Sequence, residues 1–140
     1  TDGGHDGMKK IAMSGVVAPM AGAGLTASNG QLSTITTVDT TIHQANFSIG
    51  STKQLYLVRT NAAYTGALPT LTSDNQLGQT YVVKDWEGNA ETNNICVSGA
   101  SGQPVDGHGA TKVATDYGSV TVCAISSSAS GYAWVVIAKT

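Results

Sequence analysis

Ser119-Val120-Thr121-Val122-Cys123-Ala124-Ile125 alternates residue by residue, with Val120 and Val122 on one side of an extended chain and Ser119, Thr121 and Cys123 on the other. A period of two belongs to a strand, and no window of the chain carries apolar residues at i, i+3, i+4 and i+7 without a Gly or a run of Thr breaking it. Working outward, short runs rich in Val, Ile, Thr and Tyr recur, each bounded by Gly, Asn, Asp or Ser, as in sandwich or barrel strands. They predict strands at 11–17, 32–38, 41–47, 54–59, 80–85, 94–98, 111–114, 119–125 and 133–138. In the last of these Trp134 and Val136 share one face and Val135 and Ile137 the other, so both faces of that strand expect cover.

Turn chemistry agrees with this punctuation. Ser28-Asn29-Gly30, Glu87-Gly88-Asn89, Val105-Asp106-Gly107 and Tyr117-Gly118 supply residues that tolerate positive φ. Gly88-Asn89 is expected to reverse a long-looped hairpin between the strands at 80–85 and 94–98, with Asn93 and Asn94 capping backbone groups in the loop. No repeat of 20–50 residues is evident, which argues against a solenoid confined to this chain.

The 140 residues suit one domain with an extension. Residues 1–30 form a Gly-rich leader or linker with few large side chains, which can bury little apolar area. Its strand-like start and Ala/Gly/Pro stretch suit the last rung of a β-helix and a linker out of it, or else a tail without a fold of its own. Residues 31–140 are expected to be the domain proper. Since Thr1 is not an initiator Met, the simplest expectation is a piece of a longer protein.

Charged residues are 11 % of the chain, against roughly 25 % in an ordinary globular domain, so Ser, Thr, Asn and Gly must carry solubility. A net charge of −2 gives no positive field for a phosphate backbone, and nucleic acid is not an expected partner. No apolar run approaches the ~20 residues of a membrane span, so no membrane insertion is expected. Cys96 and Cys123 are expected as buried free thiols, a disulfide being the alternative, and neither has the spacing of a zinc ligand.

The ordered pieces Arg59-Thr60, Leu68-Pro69, Tyr81-Val82-Val83-Lys84-Asp85, Gly88-Asn89-Ala90, Thr92-Asn93-Asn94-Ile95, Val105-Asp106-Gly107, Tyr117-Gly118-Ser119-Val120 and Trp134-Val135-Val136-Ile137 span a little over half of the chain. Their order resembles the small β-domain near the C-termini of bacteriophage tailspikes and tail fibres. The resemblance implies an all-β, jelly-roll-like β-sandwich that associates as a homotrimer, works outside the cell on the virion, and takes part in host attachment. It also implies that any polysaccharide depolymerase activity of the parent protein would lie upstream. The chain departs from that pattern at Cys96, where a β-branched residue or Thr is usual, and in its long Ser-rich loop at 126–131.

His5, His43 and His108 are far apart and form no i, i+4 pair; His5 with Asp2 and Asp6 is a weak metal or saccharide cluster, more simply a solvated loop. Asp85 and Glu87 could be a carboxylate pair for glycoside hydrolysis, but both flank one turn, and solvating that turn is the plainer role. There is no GxSxG elbow and no G-x-G-x-x-G fingerprint. No catalytic residue, cofactor or metal is therefore expected. A saccharide site remains: an aromatic face with amides and carboxylates nearby is what a sugar ring needs. Asp85, Trp86, Glu87, Asn89 and Asn93, with Tyr64 beside Asn61 as a further option, bring those groups together for a host capsular polysaccharide or lipopolysaccharide. The competing reading tucks Trp86 against a neighbouring subunit.

Overall fold

The computed structural model describes residues 25–28, 31–34, 38–50 and 52–140. Residues 1–36 and 37–140 form separate compact units. In the first, β1 (Leu25–Ser28) and β2 (Gln31–Thr34) make an antiparallel hairpin with Ser28 opposite Gln31, the reversal expected at Ser28-Asn29-Gly30. The strand expected at 11–17 lies outside the described residues.

The second unit holds β3 (Val38–His43), β4 (Phe47–Ser48), β5 (Leu55–Val58), β6 (Tyr64–Ala67), β7 (Thr80–Asp85), β8 (Ile95–Ser98), β9 (Ala110–Val113), β10 (Ser119–Ser127) and β11 (Gly131–Lys139). It is all-β, with two mixed sheets: five strands in the order β11-β10-β7-β5-β3, and four in the order β4-β6-β8-β9. The inner faces of both contribute to one core, where Tyr56, Val58, Tyr81, Val83, Val120, Val122 and Trp134 meet Ile95, Val97 and Val113.

Connectivity is what alternation could not show. From β3 to β8 successive strands change sheet at every step; β3, β5 and β7 are parallel neighbours in one sheet, and β4, β6 and β8 in the other. The chain thus winds as a coil of three turns, two strands to a turn. The expectation against a solenoid is corrected here, and the reason is length: Val38 sits opposite Leu55 and Leu55 opposite Val82, so the turns are unequal and leave no fixed period. The expected 80–85 to 94–98 hairpin is also corrected, because β7 and β8 belong to different sheets. Beyond β8 the pairing turns antiparallel, with β9 closing one sheet and β10–β11 the other.

An aromatic series crosses the turns of the coil. His43 stacks on Phe47 at 4.4 Å, Phe47 lies 5.9 Å from Tyr56, Tyr56 6.4 Å from Tyr81, and Tyr81 5.6 Å from Trp134. Such pairs add roughly 0.5–1.5 kcal/mol each to plain area burial. Gly66 is required under this series, since a Cβ there would fall 2.6 Å from the Phe47 ring. The edge of β11 is covered by the Val105-Asp106-Gly107 turn. Trp134 N–H donates to the Pro104 carbonyl at 2.8 Å, Asp106 N–H to the Trp134 carbonyl at 2.9 Å, and Val136 N–H to Asp106 Oδ1 at 3.0 Å. Covered edges resist pairing with other chains.

Cys96 and Cys123 are free and half-exposed rather than buried. Each alternates with buried neighbours, Ile95 and Val97 in β8 and Val122 and Ala124 in β10, so each turns to the outer face of its own sheet. Strand alternation holds them on opposite sides of the core, and a bond between them is ruled out on that ground.

Candidate functional site

The loop that leaves β7 is built around Asp85, the last inward position of a strand whose Tyr81 and Val83 also point into the core. Its carboxylate is fully buried and accepts six hydrogen bonds. Oδ1 takes the Thr60 hydroxyl at 2.8 Å and the N–H groups of Glu87 and Gly88 at 3.0 Å; Oδ2 takes the N–H groups of Asn89, Ala90 and Tyr117 at 3.0, 3.1 and 3.0 Å. Burial alone would raise the carboxyl's pKa. The Thr60 hydroxyl and the Gly88, Tyr117 and Ala90 N–H groups outweigh it, and Asp85 is held below the usual carboxylate range.

Other bonds close the loop. Asn93 Nδ2 donates to the Thr60 carbonyl at 2.8 Å and Asn94 Nδ2 to the Ala90 carbonyl at 2.7 Å, the capping expected of those amides. Gly88 has φ 82°, and a side chain there would run into the Tyr117 ring that lies against it. Lys84 Nζ donates to the Tyr117 carbonyl.

Asp85 therefore cannot serve as a saccharide ligand or as half of a catalytic pair, and it does not solvate the turn. All its lone-pair directions are engaged inside the protein, which corrects the expected role. Glu87 is committed too: Oε1 accepts from Arg59 Nε at 2.9 Å, and Oε2 is buried without a partner among the described residues. Asn93 is spent on the loop. Tyr64 is half-buried against the core, with its hydroxyl donating to Asn61 Oδ1 at 2.8 Å.

What remains outward is Trp86, 55 % exposed, and Asn89, whose side chain is exposed while its N–H is held. To these the structure adds Tyr117, 64 % exposed, which the sequence reading treated only as a turn residue. The register of β10 on β7, Ser119 opposite Lys84, brings Tyr117 to the Asp85 loop. Its one signal in the sequence is a position just before Gly118, where it takes φ 56°. Two exposed aromatics thus stand at Asp85, Trp86 in the loop after β7 and Tyr117 in the connection between β9 and β10, whose N–H the same carboxylate holds.

A second acid lies at the edge strand β3. Asp39 is buried; Oδ1 accepts from Lys53 Nζ and Thr41 N–H, both at 3.0 Å, and Oδ2 lies 3.1 Å from His43 Nε2. Lys53 first, then the Thr41 N–H, hold its pKa well below the ordinary range against the opposing effect of burial. A surface depression lined by residues 99–104 and Gly109 carries no ionisable side chain, and Gln103 there is tied to the backbone of Leu71 at 2.8 and 2.7 Å.

Among the described residues no group of three His, Cys, Asp or Glu side chains could hold a metal ion, and no helix is long and apolar enough to cross a membrane. No protein-family model matches the chain, and no curated protein matches it.

Proposed function

We propose that this chain is an end module of a bacteriophage tailspike or tail fibre that associates as a homotrimer on the virion and takes part in host attachment. The observation that carries the reading is the coil itself. Three parallel turns, β3 to β8, are closed on one side by the antiparallel strands β9, β10 and β11, while β3 and β4 are the opposite edges among the described residues. A module that ends a coil suits the end of a fibre. The ordered pieces from Arg59 to Ile137 support the same reading, and so does the low charge of the surface. Light scattering at micromolar concentration checks it: a trimer is expected, and a monomer overturns it.

The exposed pair Trp86 and Tyr117 favours a second, compatible reading, in which the Asp85 loop presents an aromatic platform to a host surface polysaccharide. Aromatic faces suit the C–H side of a sugar ring, and Asn89 offers an amide beside them. On a glycan array, Trp86→Ala is expected to abolish the signal while leaving the oligomer intact; an unchanged signal rejects this site.

A further inference from the structure

At the Asp85 end of the five-stranded sheet, the register gathers two cations around the exposed aromatics. Leu57 pairs with Lys84 and Val58 with Asp85, and Trp86 N–H donates to the Val58 carbonyl at 2.8 Å. The parallel register carried one residue further sets Arg59 beside Trp86. On the other side Ser119 pairs with Lys84, and Asp85 N–H donates to the Gly118 carbonyl at 2.9 Å, which sets Tyr117 beside Trp86. Val58, Thr60, Asp85 and Gly118 are buried, so the residues that alternate with them, Arg59, Lys84, Trp86, Tyr117 and Ser119, turn to the outer face.

The cations here have donors to spare. Lys84 spends one N–H on the Tyr117 carbonyl, and no carboxylate among the described residues lies within ion-pair distance of it. Arg59 spends Nε on Glu87 Oε1 at 2.9 Å, and the rest of its guanidinium fork has no protein partner among the described residues. The acids close by are turned to other work. Asp85 faces the core, Glu87 answers Arg59, and Asp116 Oδ1 accepts the Glu91 N–H at 2.9 Å. Glu91 itself is exposed beyond the buried Ala90, outside both rows.

We infer that the platform takes an acidic saccharide and that Lys84 selects it, a step that rests on the aromatic-platform reading above and names its ligand class. The sugar ring lies on the aromatic faces, and its carboxylate or phosphate accepts from the Lys84 ammonium, with the outer donors of Arg59 alongside. Charge-assisted bonds of this kind are about twice as strong as the neutral ones a sugar hydroxyl would make with the same groups. The chain as a whole carries a net charge of −2, so the attraction is confined to these rows and is not a general affinity for anions.

A glycan array with carboxylated, phosphorylated and neutral glycans tests this on the whole chain. Signal is expected on acidic glycans, the two acidic arms separating carboxylate from phosphate, and high salt is expected to weaken it. Lys84→Met is expected to cut that signal at least about tenfold and to remove its salt dependence, and Lys84→Arg to keep most of both, with circular dichroism unchanged. Signal confined to neutral glycans and lost in Trp86→Ala overturns the acidic class and leaves the platform standing. No signal on any glycan overturns both. Acidic signal that survives Lys84→Met undiminished overturns the role of Lys84. The array with the parent chain decides the ligand class even where a variant fails to fold.

Discussion

Asp85 and Asp39 are both buried acids held below the ordinary carboxylate range, and they reach that state by opposite means. Asp39, on an edge strand, is answered first by the Lys53 ammonium, 43 % exposed, and then by the Thr41 N–H. Among the described residues, Asp85 has no cation against its oxygens. A hydroxyl and five backbone N–H groups stabilise its charge, drawn from the end of β5, from the loop after β7 and from the residue before Gly118. Charge-assisted bonds of this kind are about twice as strong as neutral ones, and here the charge organises backbone rather than another side chain. Asp85 is thus a fold-organising residue that fixes the loop presenting Trp86, whereas Asp39 pins one edge.

The largest effect should come from Asp85→Ala. It strands buried donors with no acceptor, and a loss of about 3–5 kcal/mol in urea unfolding is expected. A loss no larger than that of Asp39→Ala would break the contrast.

The next effect lies on the acid side of the stability profile. Both acids have folded pKa values below their unfolded ones, so their stabilisation is fully present above the unfolded value of about 4 and is lost as pH falls toward the depressed folded values. Asp85→Asn removes one of these groups. Its unfolding free energy should therefore fall less steeply than that of the parent chain as pH drops below about 4. Parallel acid limbs would show that Asp85 does not contribute.

Asp39→Ala should cost only about 1 kcal/mol, because its main partner is close to solvent and the ion pair is screened, and part of even that loss should disappear in high salt. Trp86→Ala is expected to change unfolding free energy by less than about 0.5 kcal/mol, since an exposed ring contributes little to the fold. If Trp86→Ala instead dissociates the proposed trimer, the ring is a subunit contact and not a free platform.

Much of this was legible before any coordinates. Strand β7 lies where alternation put it, at Thr80–Asp85, and β5, β8, β9, β10 and β11 fall within a few residues of expectation. The strand Tyr64–Ala67 was missed because Gly66 and flanking Ala and Asn residues mask it, and Phe47–Ser48 is too short to show a period. The runs expected at 32–38 and 41–47 resolve instead into Gln31–Thr34 and Val38–His43. At the candidate site, Trp86 and Asn89 could be read as outward turn residues, and Asn93 and Asn94 as caps. The role of Asp85 could not.

By itself, the sequence determined what local chemistry determines: extended backbone from β-branched alternation, reversals at Gly and Asn, and a surface carried by polar rather than charged groups. Which strands pair was decided by the tertiary structure alone. Parallel pairing across turns of unequal length leaves no period to read, and long-range partners are chosen by how well two faces pack. The same holds for Asp85. Thr60 and Tyr117 are distant along the chain and reach its carboxylate only through the β5–β7 and β7–β10 registers, so its burial and its six donors exist only once those strands have met.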